Sequence, residues 1–173
     1  GSGDVIGNDS DADGDTLTVS AVNDAPTITS NGGGASAGVT TAENTTAVAT
    51  FTATDADGPS LTYSIAGGAD AARFTIDAST GALGFVTAPN FEAATDSSAD
   101  NVYDVVVQAS DGALTATQSL AVGVSNVNEA PTALAPGSAA VNIQALGGTS
   151  VATLVATDPD TGDAISFSLV DDG

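Results

Sequence analysis

The chain of 173 residues has no cysteine, histidine, methionine or tryptophan, and Arg73 is its single basic residue. Each absence excludes a chemistry. Without cysteine or histidine, zinc and copper centres, thiol nucleophiles and Ser–His–Asp machinery all lose their key members. Aromatic residues make up 4% of the chain, too few for the stacking platforms on which a carbohydrate-active enzyme or sugar-binding module relies. No apolar run approaches the ~18–20 residues of a membrane helix, and no signal peptide is recognisable. Missing cysteine fits both a secreted bacterial protein without disulfides and a cytosolic one, so it does not decide the compartment.

What is present is acid. Twenty-two Asp and Glu residues against one base give a formal charge of −21. Such a charge repels nucleic acid and anionic membrane as well as itself. Clustered carboxylates need counter-charge, and divalent cations with oxygen ligands supply it. Disorder is not implied: 42% of residues are apolar and fall in alternating, β-branched runs able to build a core.

Repeats organise the chain. Three segments share an Asp-x-Asp pair, a glycine-bearing turn and an alternating strand: Asp11-Ala12-Asp13-Gly14, Asp55-Ala56-Asp57-Gly58 and Asp158-Pro159-Asp160-Thr161-Gly162. A second motif occurs twice, as Asn23-Asp24-Ala25-Pro26-Thr27 and Asn128-Glu129-Ala130-Pro131-Thr132. From Asp55 to Asp158 is 103 residues, and from Pro26 to Pro131 is 105, so two independent markers give one period. That period suits a seven-stranded sandwich. Residues 25–129 therefore read as one complete repeat, 1–24 as a partial preceding repeat with its linker, and 130–173 as the first half of a following one. The segment reads as cut from something longer, with loose ends.

Alternation bounded by turns predicts strands at Pro26–Ser30, Ala47–Ala53, Leu61–Ile65, Arg73–Ile76, Ala82–Val86, Asn101–Ala109 and Ala113–Ser125. Short helical turns are expected at Thr40–Asn44 and Ala69–Ala72. The tyrosines and phenylalanines sit in strand periodicity and are expected in the core. Arg73 is expected in a surface ion pair. The run Asp9-Ser10-Asp11-Ala12-Asp13-Gly14 imitates the start of a helix–loop–helix calcium loop, but the twelfth position is Ser20 rather than Glu and no helices flank it.

Six motifs appear in order over the central repeat: Glu43-Asn44, Asp55-Ala56-Asp57-Gly58, Phe74-Thr75-Ile76-Asp77-x-x-Thr80-Gly81, Asn90-Phe91-Glu92, Val105-x-Val107-x-Ala109-Ser110-Asp111-Gly112, and Asn126-Val127-Asn128-Glu129-Ala130-Pro131. This order resembles a cadherin repeat, and more narrowly the cadherin-like repeats of large type I-secreted (RTX-type) bacterial surface adhesins. The resemblance implies an all-β, seven-stranded Greek-key sandwich of immunoglobulin-like form, with partial repeats at both ends. It also implies calcium ions at the junctions between successive sandwiches. At the first junction the implied ligands are Asn23, Asp24, Asp55, Asp57 and Asp111. At the second they are Glu43, Asn90, Glu92, Asn126, Asn128 (through its carbonyl), Glu129, Asp158 and Asp160. Asp11 and Asp13 are the matching pair of the N-terminal fragment. A calcium-stiffened extracellular spacer follows, secreted or on the cell surface and partnered by neighbouring repeats of the same chain. Homophilic or cell-surface glycan contacts are the alternative binding role, without nucleic acid or membrane insertion. A glycosidase built on paired carboxylates is disfavoured, because no insertion in the short repeat forms a cleft.

Overall fold

The computed structural model describes residues 22–58, 60–136 and 154–168. Eleven strands occur among them: β1 (Thr27–Ile28), β2 (Ser36–Ala42), β3 (Ala47–Thr50), β4 (Ala53–Thr54), β5 (Thr62–Gly67), β6 (Phe74–Ile76), β7 (Ala82–Phe85), β8 (Val102–Ser110), β9 (Thr115–Ser125), β10 (Ala133–Pro136) and β11 (Leu154–Thr157). A four-stranded sheet in the order β2-β9-β8-β5 faces a three-stranded sheet, β3-β7-β6. Two short antiparallel pairs, β1-β4 and β10-β11, complete the set. This is a β-sandwich, as the sequence predicts.

Period-two alternation builds the core. Tyr103, Val105, Val107 and Ala109 of β8 point inward beside Leu120, Val122 and Val124 of β9. The facing sheet contributes Phe74, Leu83 and Phe85, with Phe51 between the strands that flank it. Phe74 and Phe85 stack with ring centres 4.6 Å apart, and Tyr103 meets Phe85 edge-on at 5.0 Å. Truncating Phe85 to alanine is expected to cost about 3–5 kcal/mol. Gln118 is fully buried in β9 yet satisfied, accepting from Asn31 and donating to the Gly34 carbonyl at 2.7 Å. Gly81 stands where a side chain cannot: its φ is +70°, and a Cβ would collide with the Phe51 carbonyl.

The structure corrects several local expectations. Thr40–Asn44 is not a helical turn: Thr40, Thr41 and Ala42 end β2, which runs parallel to β9 from Ser36↔Ser119 to Ala42↔Ser125. Its Ser36-Ala37-Gly38 half has little strand preference and only Val39-Thr40-Thr41 favours a strand, so pairing with β9 and the half-burial of Ala37 and Val39 extend it over seven residues. The run Ala47–Ala53 divides into β3 and β4, which belong to different sheets. A register shift between Ala47 and Ala49 lets both Val48 and Phe51 reach the core, although strict alternation would separate them. The turn expected at Ala69–Ala72 is a 3₁₀ helix at Ala71–Arg73. Phe167 is 47% exposed rather than core. At the C-terminal end, β10 and β11 pair in register from Ala133↔Thr157 to Pro136↔Leu154, so this part of the flank is not a loose end.

Candidate functional site

Each end of the central sandwich gathers acidic side chains on turns that the sandwich holds in place. At the first junction, the tight turn after β8 is fixed by Asp111, whose Oδ1 accepts from the N–H groups of Ala113 and Leu114 at 2.7 Å each. Gly112 follows at φ +101°, the left-handed conformation glycine tolerates. Asp111 Oδ2 accepts from the Asn23 side-chain amide at 2.7 Å. After β4, the Asp57 N–H donates to Asp55 Oδ1 at 2.8 Å, and the linker N–H of Asp24 donates to Asp57 Oδ2 at 2.6 Å. Asp55 Oδ2 is buried without a hydrogen-bond partner. Asn23, Asp55, Asp57, Gly58, Ser60 and Asp111 line an open depression of about 140 Å³.

The second junction repeats this arrangement with more charge. The linker N–H of Glu129 donates to Asp160 Oδ2 at 2.6 Å, and the Asp160 N–H donates to Asp158 Oδ1 at 3.1 Å. Glu43, 1% exposed, lies beneath the linker. Its Oε1 accepts from the Val127 N–H at 2.8 Å and its Oε2 from the Phe91 N–H at 2.7 Å. Carboxylate oxygens of Glu43, Glu92 and Glu129 lie within 4.8 Å of one another, and those of Asp158, Asp160 and Asp163 form a second such triad. The Asn44 amide donates to Glu129 Oε1 at 2.6 Å, while Glu129 Oε2 is buried without a partner.

Electrostatics follow from these contacts. Desolvation raises the Glu92 carboxyl above its ordinary value, and the negative charges of Glu43, Glu129 and Asp160 add to it. Asp111 moves the other way, lowered by the Leu114 and Ala113 N–H groups and then by the Asn23 amide.

The structure brings Asn23, Asp24, Asp55, Asp57 and Asp111 together at one end. It brings Glu43, Glu92, Glu129, Asp158 and Asp160 together at the other. Asn126 and Asn128 lie exposed on the second linker, where the Asn128 amide donates to the Glu129 carbonyl at 3.3 Å. Asn90 uses its side-chain oxygen locally, accepting from the Ala93 N–H at 2.7 Å. Asp11 and Asp13 fall outside the described residues. Sequence reasoning missed Asp163. It follows Gly162 as a turn residue would, and only the fold places it beside Asp158 and Asp160.

The donor set fits a hard divalent cation. Calcium takes six to eight oxygens at ~2.3–2.6 Å and accepts mixed carboxylate, amide and backbone donors. Both junctions offer oxygen, and each holds a buried carboxylate oxygen with no donor, Asp55 Oδ2 at one and Glu129 Oε2 at the other. An anionic oxygen stranded in this way is costly unless something positive reaches it.

Neither a protein-family model nor a curated protein sequence matches this chain. Solved structures do. Extracellular cadherin domains 1–5 of protocadherin gamma B2 align at 25% identity and a TM-score of 0.51, over 82% of this chain and 27% of that one. Domains EC1-2 of human protocadherin-24 align at 22% identity and a TM-score of 0.53, over 79% of this chain and 61% of that one. Domains EC1-4 of Drosophila N-cadherin align at 21% identity and a TM-score of 0.51, over 81% and 35%. This chain thus spans 27% to 61% of the length of those chains. The likeness is one of fold, a cadherin-like β-sandwich.

Proposed function

We propose that this chain is a calcium-binding stretch of an extracellular tandem array, in which ions at the two junctions fix the angle between successive sandwiches. One observation carries the reading. The same linkage occurs at both ends of the sandwich: a linker N–H bound at 2.6 Å by the second aspartate of an Asp-x-Asp pair, among carboxylates with an orphaned buried oxygen. Glu43, Glu92, Glu129, Asp158, Asp160 and Asp163 hold the ion or ions of the second junction; Asn23, Asp24, Asp55, Asp57 and Asp111 hold those of the first. Calcium supplies the counter-charge that lets these groups approach. Without it the carboxylates repel and the linkers flex; with it the array is a stiff spacer. The resemblance of the motifs to cadherin-like repeats of type I-secreted bacterial adhesins supports a cell-surface spacer that presents a distal adhesive domain. Catalysis is not part of this reading.

Thermal unfolding tests it, in excess EDTA and then in millimolar calcium, with magnesium as control. A ligand binding only the folded state adds about 2.7 kcal/mol at ~100-fold excess over its Kd. For a domain near 100 residues this raises Tm by roughly 10 °C or more. A calcium-selective rise of that size supports the spacer. An identical Tm in all three solutions defeats it and leaves the carboxylates as turn formers and solubilising charge.

A further inference from the structure

Sixteen residues, 86–101, connect β7 to β8 without regular secondary structure. A connection of that length in a small sandwich is uncommon unless it serves a purpose. Glu92 lies on it, and the connection is pinned on both sides of that residue. The Pro89 carbonyl accepts from the Asn44 N–H at 2.9 Å. The Phe91 N–H donates to Glu43 Oε2, and the Phe91 carbonyl accepts from the Asn101 amide at 2.8 Å. Further along, Thr95 N–H meets the Tyr103 hydroxyl at 3.2 Å, and Ser97 N–H donates at 2.7 Å to Asp70, a buried carboxylate.

Asn101 is held with unusual care. Its φ of +62° is a left-handed conformation that asparagine adopts more readily than most residues. Its N–H donates to Asp96 Oδ1 at 3.1 Å, and its carbonyl accepts from Val124 N–H at 2.9 Å. Asp96, 7% exposed, uses Oδ2 for Ser98 and for the Asp100 N–H at 3.0 Å. Ala99, between them, is also left-handed at φ +56°, a conformation alanine keeps only where its surroundings impose it. Because the Phe91 carbonyl can only accept, the Asn101 atom facing it is the nitrogen. Asn101 Oδ1 is thereby left buried with no partner. The bond that holds the Phe91 carbonyl, one residue before Glu92, is thus made at the expense of the Asn101 oxygen.

We propose that Asn101, anchored by Asp96, is a positioning residue that aims the Glu92 carboxylate into the second junction through the Phe91 peptide. Asn101 acts on the ion without touching it. The inference rests on the calcium reading for its function and on geometry alone for its structural half, so the two can fail separately.

The test uses Asn101→Gly in the full chain, because glycine keeps the left-handed backbone while removing the amide. Calcium affinity is followed by NMR at the Val127 and Glu129 amides, with Ala113 and Leu114 reporting the first junction. Asn101→Gly is expected to weaken calcium binding at the second junction by about 10-fold or more and to leave the first unchanged. In a Glu92→Gln background the same change is expected to add little, as coupling demands. Equal weakening in both backgrounds, or none, overturns the positioning role. A metal-free arm measures exchange of the Phe91 amide in EDTA, expected about 10-fold faster in Asn101→Gly while the Val107 amide holds its rate. Unchanged Phe91 exchange overturns the structural half, even should the wild-type junction prove indifferent to calcium.

Discussion

The two junctions share a linkage and differ in how their charge is managed. At the first, hydrogen-bond donors cover the carboxylates: backbone N–H groups and the Asn23 amide bind Asp111, and Asp24 binds Asp57. The Asp111 carboxyl is accordingly lowered. At the second, two carboxylate triads crowd around one linker, and Glu92 is raised by desolvation and by like charges. Donors therefore cover more of the first junction, which keeps Asp55 Oδ2 buried without one, whereas at the second the carboxylates crowd one another. Similar sequence motifs need not give equal dependence on metal.

The largest effect separating the ends is expected from Glu43. Removing its buried carboxylate in Glu43→Ala strands the Phe91 and Val127 N–H groups and should cost about 3 kcal/mol or more in EDTA, read by urea unfolding. Glu43→Gln keeps an acceptor and removes a charge. Its stability in EDTA should fall less than that of Glu43→Ala, because the amide oxygen replaces only one of the two carboxylate acceptors, while the calcium-induced rise shrinks. A full calcium response in Glu43→Gln would place the ion elsewhere.

Acid should move the two ends oppositely. Glu92 has a raised pKa in the folded state, so without metal its ionisation destabilises. Lowering the pH from neutral through that raised value relieves the penalty, and the relief is complete by its ordinary value of 4.5. Asp111 has a depressed pKa, so its contribution is full above its ordinary value of 3.8 and is lost as pH falls through the depressed one. NMR titration in EDTA, following both carboxyls, should show Glu92 titrating above and Asp111 below their ordinary values. Two ordinary titrations would erase the contrast.

Salt should have a smaller effect. In EDTA, raising ionic strength screens like-charge repulsion and should slow amide exchange around Glu129 more than around Asp24. The smallest change is expected from Asn44→Gly, which keeps the left-handed backbone of Asn44 (φ +59°) and removes one exposed amide from Glu129 Oε1. Stability should fall by no more than about 1 kcal/mol, with calcium affinity at the second junction weakened and the first untouched.

Much of this was legible in residues alone. The alternation in β8 named its inward face, Tyr103, Val105, Val107 and Ala109, and the Asp-x-Asp pairs marked both junctions. Other features were not legible, for physical reasons. Strand β2 offers only the short β-branched run Val39-Thr40-Thr41 behind a small-residue stretch, and its full length comes from pairing with β9. Asp163 looks like a turn residue until its triad with Asp158 and Asp160 is seen. Asp70 and Asp96 are aspartates in a Ser- and Ala-rich stretch whose burial only the folded connection reveals. Asn101 looked like the first residue of a strand, and its left-handed backbone and grip on Phe91 are tertiary facts.

The most direct measurement is a calcium titration of the full chain resolved by residue, reading Val127 and Glu129 at the second junction against Asp24 and Leu114 at the first. Saturating shifts at the second junction at lower calcium than at the first, absent with magnesium, are the result expected if crowded carboxylates drive the binding. Shifts appearing at both ends together, or no calcium-selective shift at the second junction, would contradict it.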